Sequence, residues 1–364
     1  MWWKKYFMNR FIKIAWNKEM LLLMSLLFFF SSVMAQKTTG TQDPLWDEAI
    51  SIHEEALVVD AHAHQLVFGL EDRKAYHPEA TQLDISMAKE GGLNAIALHF
   101  AYYPIENGTL YQQVKKDMEI LQERIAKSEE KVMIAQNLSK AESKLVLLPG
   151  VEYFFGAFKR EISTLDSLYD IGVRTITLMN NKFDVLTRSS GKDKADLNAF
   201  GLALVKKMNR KGMLIDISHL DDPTQMAIIQ ASDKPVVASH SPVRGAHDVP
   251  RNISDKALTA MAQKGGAVMI TFNSGNLAGV EEGRCSIEKL IDHIDYAVNL
   301  VGLEHVGIGS DFNGAGLRSP KGLENASGFP LITYHLLKRG YSREEIFKIM
   351  GGNYQRILNK VLVL

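Results

Sequence analysis

The chain has 364 residues, of which 46% are hydrophobic and 23% are charged, and its 42 basic side chains balance its 42 acidic ones. Those fractions are typical of a globular protein, and the length allows one large α/β domain or two smaller ones. The balanced charge provides no basic surface for nucleic acid, and the single cysteine, Cys285, excludes an internal disulfide and a Cys-rich zinc site.

The first 35 residues have the layout of a secretory signal peptide. A lysine- and arginine-rich leader precedes an apolar run over residues 20–30, and small residues lie just ahead of Gln36. The run is short for a transmembrane helix, although an uncleaved anchor stays an alternative. We therefore expect a periplasmic or secreted protein, with membrane contact only if the leader is retained. Residues 36–46 are polar and are predicted to form a flexible junction.

From residue 47 to residue 364, apolar runs alternate with amphipathic segments. The apolar runs predict strands at residues 57–61, 95–98, 145–151, 175–178, 213–217, 236–239, 267–272 and 306–310. The amphipathic segments predict helices at residues 83–90, 110–136, 164–169, 197–211, 223–230, 255–263 and 287–301.

Eight strand–helix repeats in one domain predict a (β/α)₈ TIM barrel, and residues 329–361 are expected to add two or three closing helices. Many of the predicted helices end in glycine, which is the usual C-terminal cap. A doubly wound open sheet is the alternative fold, but no Gly-x-Gly-x-x-Gly motif follows an early strand.

Metal-binding side chains gather where the predicted strands end, which is where a barrel places its active site. The set comprises His62, His64, Glu152, His219, His240 and Asp311. The other histidines are expected on the surface or in packing roles, with a core position for His99 and solvent exposure for His247.

Four imidazoles and a glutamate exceed the needs of one zinc ion with an open position. The set suits two divalent ions that share Glu152, with a hydroxide between them. Asp311 would then carry a proton between the attacking water and the leaving group; the alternative is a helix N-cap. Asp60 and Asp216 would orient ligand histidines, or would be ordinary buried polar groups.

Arg251 lies in the loop after the sixth predicted strand. Its guanidinium could hold a substrate carboxylate with two parallel hydrogen bonds. A surface arginine is the alternative. Cys285 lies in a loop, and an inert thiol is expected there rather than a nucleophile.

Several motifs, in one order along the chain, resemble the membrane (renal) dipeptidase family, which comprises zinc-dependent enzymes of the amidohydrolase type. The resemblance covers residues 58–361 and rests on residues 150–152, 168–178, 214–220, 239–255, 306–314 and 351–358. It implies a (β/α)₈ barrel, a dipeptide as the substrate and two Zn²⁺ ions per chain. A homodimer stays an open alternative.

Carried over to this sequence, the resemblance implies that His62, His64 and Glu152 hold the first zinc. It also implies that Glu152, His219 and His240 hold the second. By the same resemblance, Asp311 is the acid/base. Arg251 then binds the terminal carboxylate of the substrate.

The sequence departs from the family pattern at four positions. His64 replaces a usual aspartate, and imidazole is also a competent zinc ligand. Asn180 replaces a histidine that contacts the reacting carbonyl; an asparagine can donate a hydrogen bond there but cannot be cationic. Asn313 replaces a second aspartate, and Val249 replaces a histidine.

We therefore predict an exported zinc dipeptidase in which a metal-bridged hydroxide attacks the peptide bond. One alternative is a dinuclear hydrolase that acts on another amide, a lactone or a phosphoester, which the change at Asn180 motivates. The other alternative is a non-catalytic metal- or ligand-binding homologue.

Overall fold

The computed structural model describes residues 43–64, 81–102, 109–141, 143–154, 161–179, 186–191, 194–280, 283–314 and 318–362. The predicted signal peptide, most of the predicted junction and Asn180 lie outside these residues. Residues 48–364 form one compact unit and residues 1–47 form another, of which 43–47 are described. Among the described residues, every helix is too short or too polar to cross a membrane.

Parallel strands dominate the structure. In chain order, the strands are β1 Val59–His64, β2 Ala95–Tyr102, β3 Val132–Ile134, β4 Leu145–Phe154, β5 Thr175–Met179, β6 Thr187–Gly191, β7 Lys194–Leu197, β8 Leu214–Asp216, β9 Val237–Ala238, β10 Ala267–Ile270 and β11 Val306–Ile308. Eight of them follow one another around a barrel in the order β1-β2-β4-β5-β8-β9-β10-β11. The prediction of a (β/α)₈ barrel is thus confirmed.

Helices connect the barrel strands and continue beyond the last one. The α-helices are Pro44–Glu55, Ile85–Glu90, Leu110–Lys127, Thr164–Asp170, Ala199–Lys211, Asp222–Ala231, Asp255–Gln263, Ser274–Ala278, Ile287–Val301, Phe329–Arg339, Arg343–Phe347 and Asn353–Val361. A capping box in which Ser342 and Glu345 bond each other's backbone N–H begins the penultimate helix.

Backbone contacts between β1 and the segment after β11 close the barrel. Ala63 forms a parallel bridge with Phe312. The His64 N–H donates to the Phe312 carbonyl at 2.9 Å, and the Asp311 N–H donates to the His62 carbonyl at 2.8 Å. Closure therefore brings Asp311 beside both histidines of β1, although about 250 residues separate them in sequence.

The lower part of the barrel is apolar. Val146 and Leu148 of β4 pack in one buried cluster with Tyr354 and Ile357 of the last helix. Because side chains alternate along a strand, Glu152 lies on the same face as these two residues, nearer the carboxyl end. The interior is thus apolar where the last helix closes it and polar where the strands end.

Several features differ from the sequence prediction. The helix that was predicted to reach residue 136 ends at Lys127, and the apolar residues of β3 pair with β4 instead. The antiparallel hairpin of β6 and β7 was not predicted. The first helix begins at Pro44, so residues 44–46, at the end of the predicted junction, are helical.

Candidate metal centre

Five predicted metal ligands and Asp311 meet at the carboxyl ends of the barrel strands. The potential ligand atoms of His62, His64 and Glu152 all lie within 4.8 Å of one another, and the same holds for Glu152, His219 and His240. The two groups share Glu152. Residues from four separate parts of the sequence therefore form a pair of adjoining clusters.

The two oxygens of Glu152 face different clusters. Its Oε2 atom lies 2.9 Å from His62 Nε2 and 3.6 Å from His64 Nε2. Its Oε1 atom lies 3.4 Å from His219 Nε2, and His219 Nε2 lies 2.7 Å from His240 Nε2. A carboxylate with one oxygen toward each cluster has the arrangement that a bridging ligand requires.

The hydrogen bonds around His64 show why this pocket suits a cation. His64 Nδ1 lies 3.1 Å from the His99 carbonyl oxygen, which can only accept, so this nitrogen carries the proton. Whenever the ring is neutral, its lone pair is therefore on Nε2, 3.2 Å from His62 Nε2. Glu152 Oε2 has no hydrogen-bond partner within the described part of the chain. Converging lone pairs of this kind are stabilised by a divalent ion.

Burial favours the neutral, ligating form of most of these histidines. It lowers the pKa of His62 and His240 well below the ordinary value, and nearby cationic groups add to the effect. Burial and the Arg251 guanidinium lower the pKa of His219 to about 3. Burial also opposes protonation of His64, but its hydrogen bond to Asp311 and the charges of Glu152 and Asp311 outweigh burial and raise its pKa.

Asp311 lies at the edge of the first cluster. Its Oδ1 atom is 3.3 Å from His64 Nε2. Burial raises the pKa of Asp311, an effect that its contacts with His64 oppose. A carboxyl group whose pKa is raised toward neutrality is suited to accept and return a proton.

Two residues of the site have left-handed backbone conformations. His219 has a φ of 67° and Asp311 a φ of 62°. Such conformations cost of order 1–3 kcal/mol each for residues other than glycine. The surrounding structure must supply that energy to hold both residues in these conformations.

Arg251 is half-buried beside the second cluster. One terminal nitrogen donates to Ser241 Oγ at 2.8 Å, and the other donates to the His240 carbonyl at 3.0 Å. The second nitrogen also lies 3.2 Å from His219 Nε2. The guanidinium of Arg251 is therefore held against the second cluster, and its role as a carboxylate-binding group stays a prediction.

Asp60 and Asp216 are buried acceptors. Asp60 accepts from Ser310 Oγ at 2.5 Å and has a pKa that burial raises to about 7. Asp216 accepts from Ser239 Oγ at 2.5 Å. Of these two serines, Ser239 also contacts imidazole rings and Ser310 does not, among the described residues. The sequence did not predict this role, because a lone serine has no metal-binding pattern. The sequence nevertheless placed it directly before His240.

His99 also belongs to the cluster. It is fully buried, as predicted, but its ring is stacked on that of His62 instead of packing only among apolar side chains. His247 is partly buried, with an Nε2 atom that is shielded from solvent, so the prediction of solvent exposure is wrong.

The family model of membrane dipeptidase (peptidase family M19) matches residues 46–363. Dipeptidase verJ from Clonostachys rogersoniana is 39% identical over 198 residues, which cover 54% of this chain and 50% of that protein. The chain spans about half the length of the curated relatives it matches.

Two solved structures from Pseudomonas aeruginosa resemble the fold. An amidohydrolase is 25% identical with a TM-score of 0.72, and the match covers 86% of this chain and 98% of that one. The probable dipeptidase PvdM is 23% identical with a TM-score of 0.75, and the match covers 88% and 99%.

Proposed function

The chain belongs to the membrane dipeptidase family, and from this premise we propose that it is a metal-dependent dipeptidase. The observation that carries the proposal is the orientation of the Glu152 carboxylate. Its two oxygens face two separate groups of imidazole Nε2 atoms. The related protein from Clonostachys rogersoniana is named a dipeptidase, which supports the choice of substrate.

We propose that two Zn²⁺ ions are the cofactors. His62, His64 and Glu152 would hold one ion, and Glu152, His219 and His240 would hold the other. When bound, such a pair supplies an activated water and polarises the carbonyl of the scissile bond. A ligand set of imidazoles and a carboxylate, without a thiolate, also suits other first-row metals. The test therefore includes the identity of the bound metal.

Asp311 and Arg251 complete the proposal. Asp311 takes a proton at its carboxylate and passes it to the amine that leaves, which its position at the pocket edge and its raised pKa support. Arg251 binds the free carboxylate of the dipeptide, since a half-buried guanidinium gains more from an anionic partner than a fully exposed one does.

The test is a dipeptide panel measured on purified protein before and after chelation and after Zn²⁺ is restored. We expect about two zinc ions per chain by elemental analysis, hydrolysis of dipeptides, loss of turnover with the chelator and recovery with Zn²⁺. Lactones and phosphotriesters serve as the comparison panel. Turnover of those compounds without dipeptide hydrolysis, or turnover that survives chelation, would contradict the proposal.

We also propose that the protein is exported and that cleavage occurs after Ala35. The basic leader, the apolar run and the small residues before Gln36 support this. Fractionation of producing cells, followed by N-terminal sequencing, should give a periplasmic or secreted chain that begins at Gln36. An intact N-terminus in the membrane fraction would contradict cleavage.

A further inference from the structure

Ser239 lies between one histidine of each cluster. Its Oγ atom is 2.8 Å from His62 Nδ1 and 2.9 Å from His240 Nδ1. The two imidazole rings lie close to each other, with centroids 3.8 Å apart. One buried hydroxyl group therefore contacts a proposed ligand of the first ion and a proposed ligand of the second.

A third contact fixes the direction of these hydrogen bonds. Ser239 Oγ lies 2.5 Å from Asp216 Oδ2. A carboxylate only accepts, and a hydroxyl has a single hydrogen to donate. The hydroxyl hydrogen of Ser239 therefore goes to Asp216, and its two lone pairs accept from His62 and His240.

Asp216 is itself held firmly in the accepting role. Its Oδ1 atom accepts from Ser218 N at 3.0 Å, from Ser218 Oγ at 2.8 Å and from Ser239 N at 2.8 Å. Its Oδ2 atom accepts from Thr177 Oγ1 at 2.6 Å as well as from Ser239 Oγ. Two of these donors are backbone N–H groups, which cannot reverse their role. The carboxylate is thus anchored to three neighbouring parts of the barrel.

We infer that Ser239 is a positioning residue shared by both metal sites: it places the proton of His62 and of His240 on Nδ1 and so keeps both Nε2 lone pairs toward the pocket. The inference rests on the proposed metal-dependent function. Beyond that function, the inference assigns the Asp216–Ser239 pair to both sites. This pair contacts the ligand histidines at Nδ1, whereas Glu152 lies between the two sites. Hydrogen bonds that fix the ligand tautomer are worth roughly 10–100-fold in metal affinity in other proteins.

The chain offers a matched control. Ser310 donates its hydroxyl hydrogen to Asp60 at 2.5 Å, and its backbone N–H bonds the same carboxylate at 2.8 Å. Ser310 is as buried as Ser239, but its hydroxyl makes no hydrogen bond to an imidazole among the described residues. Its only contact with a proposed ligand residue in the described part of the chain is a 3.5 Å approach to the backbone carbonyl of His62. Ser310→Ala thus removes a corresponding serine–aspartate bond without removing a hydrogen bond to a ligand imidazole.

The first measurement concerns the tautomers. In the full chain, labelled with ¹⁵N-histidine and freed of metal, NMR should show Nδ1–H tautomers for His62 and His240. These signals are assigned by their loss in His62→Gln and His240→Gln. In Ser239→Ala, we expect both rings to shift toward the Nε2–H form, and in Ser310→Ala we expect no change. An Nε2–H tautomer at either ring of the wild type would overturn the inference.

The second measurement is the affinity for Zn²⁺ by competition with a chromophoric chelator. We expect Ser239→Ala to weaken both sites by roughly 10–100-fold, Ser310→Ala to leave both unchanged, and Ser239→Thr, which keeps a hydroxyl, to restore part of the loss. Wild-type affinity at either site in Ser239→Ala, or an equal loss in Ser310→Ala, would overturn the inference.

These outcomes are separate from those of the proposed function. If the wild type binds no pair of divalent ions, the proposed function fails, while the tautomers of the metal-free protein still decide the role of Ser239. If Ser239→Ala does not fold, the wild-type tautomers decide in the same way.

Discussion

The imidazole of His99 is stacked on that of His62, with ring centroids 3.9 Å apart and planes that differ by 14°. His99 Nδ1 donates to the Ala97 carbonyl at 3.0 Å, so its ring is fixed from its own strand. Gly150, on the neighbouring strand, leaves the space that the ring fills: a Cβ at that position would lie 2.5 Å from His99 Nε2. The position of the His62 ring thus depends on the contact between His99 of β2 and Gly150 of β4, neither of which is a proposed ligand.

The first prediction is a coupling between His99 and Gly150. Gly150→Ala should destabilise the protein by about 1–3 kcal/mol, because the added methyl group collides with a packed ring. In a His99→Ala background, the same substitution should cost less, since the methyl group then occupies the space that the ring leaves. Urea denaturation of the four proteins of this cycle measures the coupling. Equal costs in both backgrounds would show that the ring does not fill the space above Gly150.

The second prediction concerns Asp311→Asn. Asparagine tolerates the left-handed backbone that residue 311 adopts, so the variant should fold, but it cannot take a proton. We expect kcat for a dipeptide to fall by about 10²–10⁴-fold, with an unchanged zinc content per chain as the control. Turnover close to that of the wild type would remove Asp311 from the mechanism.

The sequence predicted the barrel because its strands are short apolar runs between amphipathic helices, and both patterns are local. The end of the helix at Lys127 was missed because the polar residues that follow continue a helical pattern. Only the pairing of β3 with β4 shows that residues 132–134 form a strand. Long-range pairing of this kind leaves little trace in a short segment.

The proposed ligands could be predicted because histidine and glutamate at strand ends have a recognisable chemistry. The role of Ser239 could not, since it depends on the direction of three hydrogen bonds that involve residues up to 177 positions away in sequence. The stacking of His99 on His62 escaped prediction for the same reason. The role of Asn180 stays a prediction, because this residue lies outside the described part of the chain.

The third prediction separates Arg251 from its neighbour Arg244. A lysine at position 251 cannot form two parallel bonds to a carboxylate. Loss of one charge-assisted hydrogen bond costs about 1.5–3 kcal/mol, so Arg251→Lys should lower kcat/KM for dipeptides by roughly 10–100-fold. A dipeptide with an amidated C-terminus should be a poor substrate of both the wild type and the variant.

Arg244→Lys is the matched control for this substitution. Arg244 lies in the same loop but pairs with Asp222 through both terminal nitrogens. We expect its conservative substitution to leave kcat/KM unchanged. The contradicting outcome is a variant that prefers free over amidated dipeptides by the same factor in kcat/KM as the wild type. That result would exclude Arg251 as the carboxylate-binding group.

The last prediction is a pH dependence of stability that arises from His53, which is not part of the metal centre. His53 Nε2 bonds the Gly91 carbonyl at 2.9 Å, and Nδ1 bonds Thr333 Oγ1 at 2.8 Å. The carbonyl can only accept, so Nε2 carries the proton and the neutral ring accepts from Thr333. Burial lowers the pKa of His53 below its ordinary value of 6.5. The folded protein therefore binds this proton less readily than the unfolded chain does.

The sign of the effect follows from this difference. Above pH 6.5 the ring is mostly neutral in both states; as the pH falls below that value, the unfolded chain takes up the proton first and stability is lost. The loss is at most about 1.4 kcal/mol per pH unit. His53→Gln should abolish it, so the stability advantage of the wild type over this variant, measured by urea denaturation of metal-free protein, should shrink between pH 7.5 and pH 5.5. Because both proteins share every other titrating group, a constant advantage across this range would mean that His53 has the same pKa folded and unfolded.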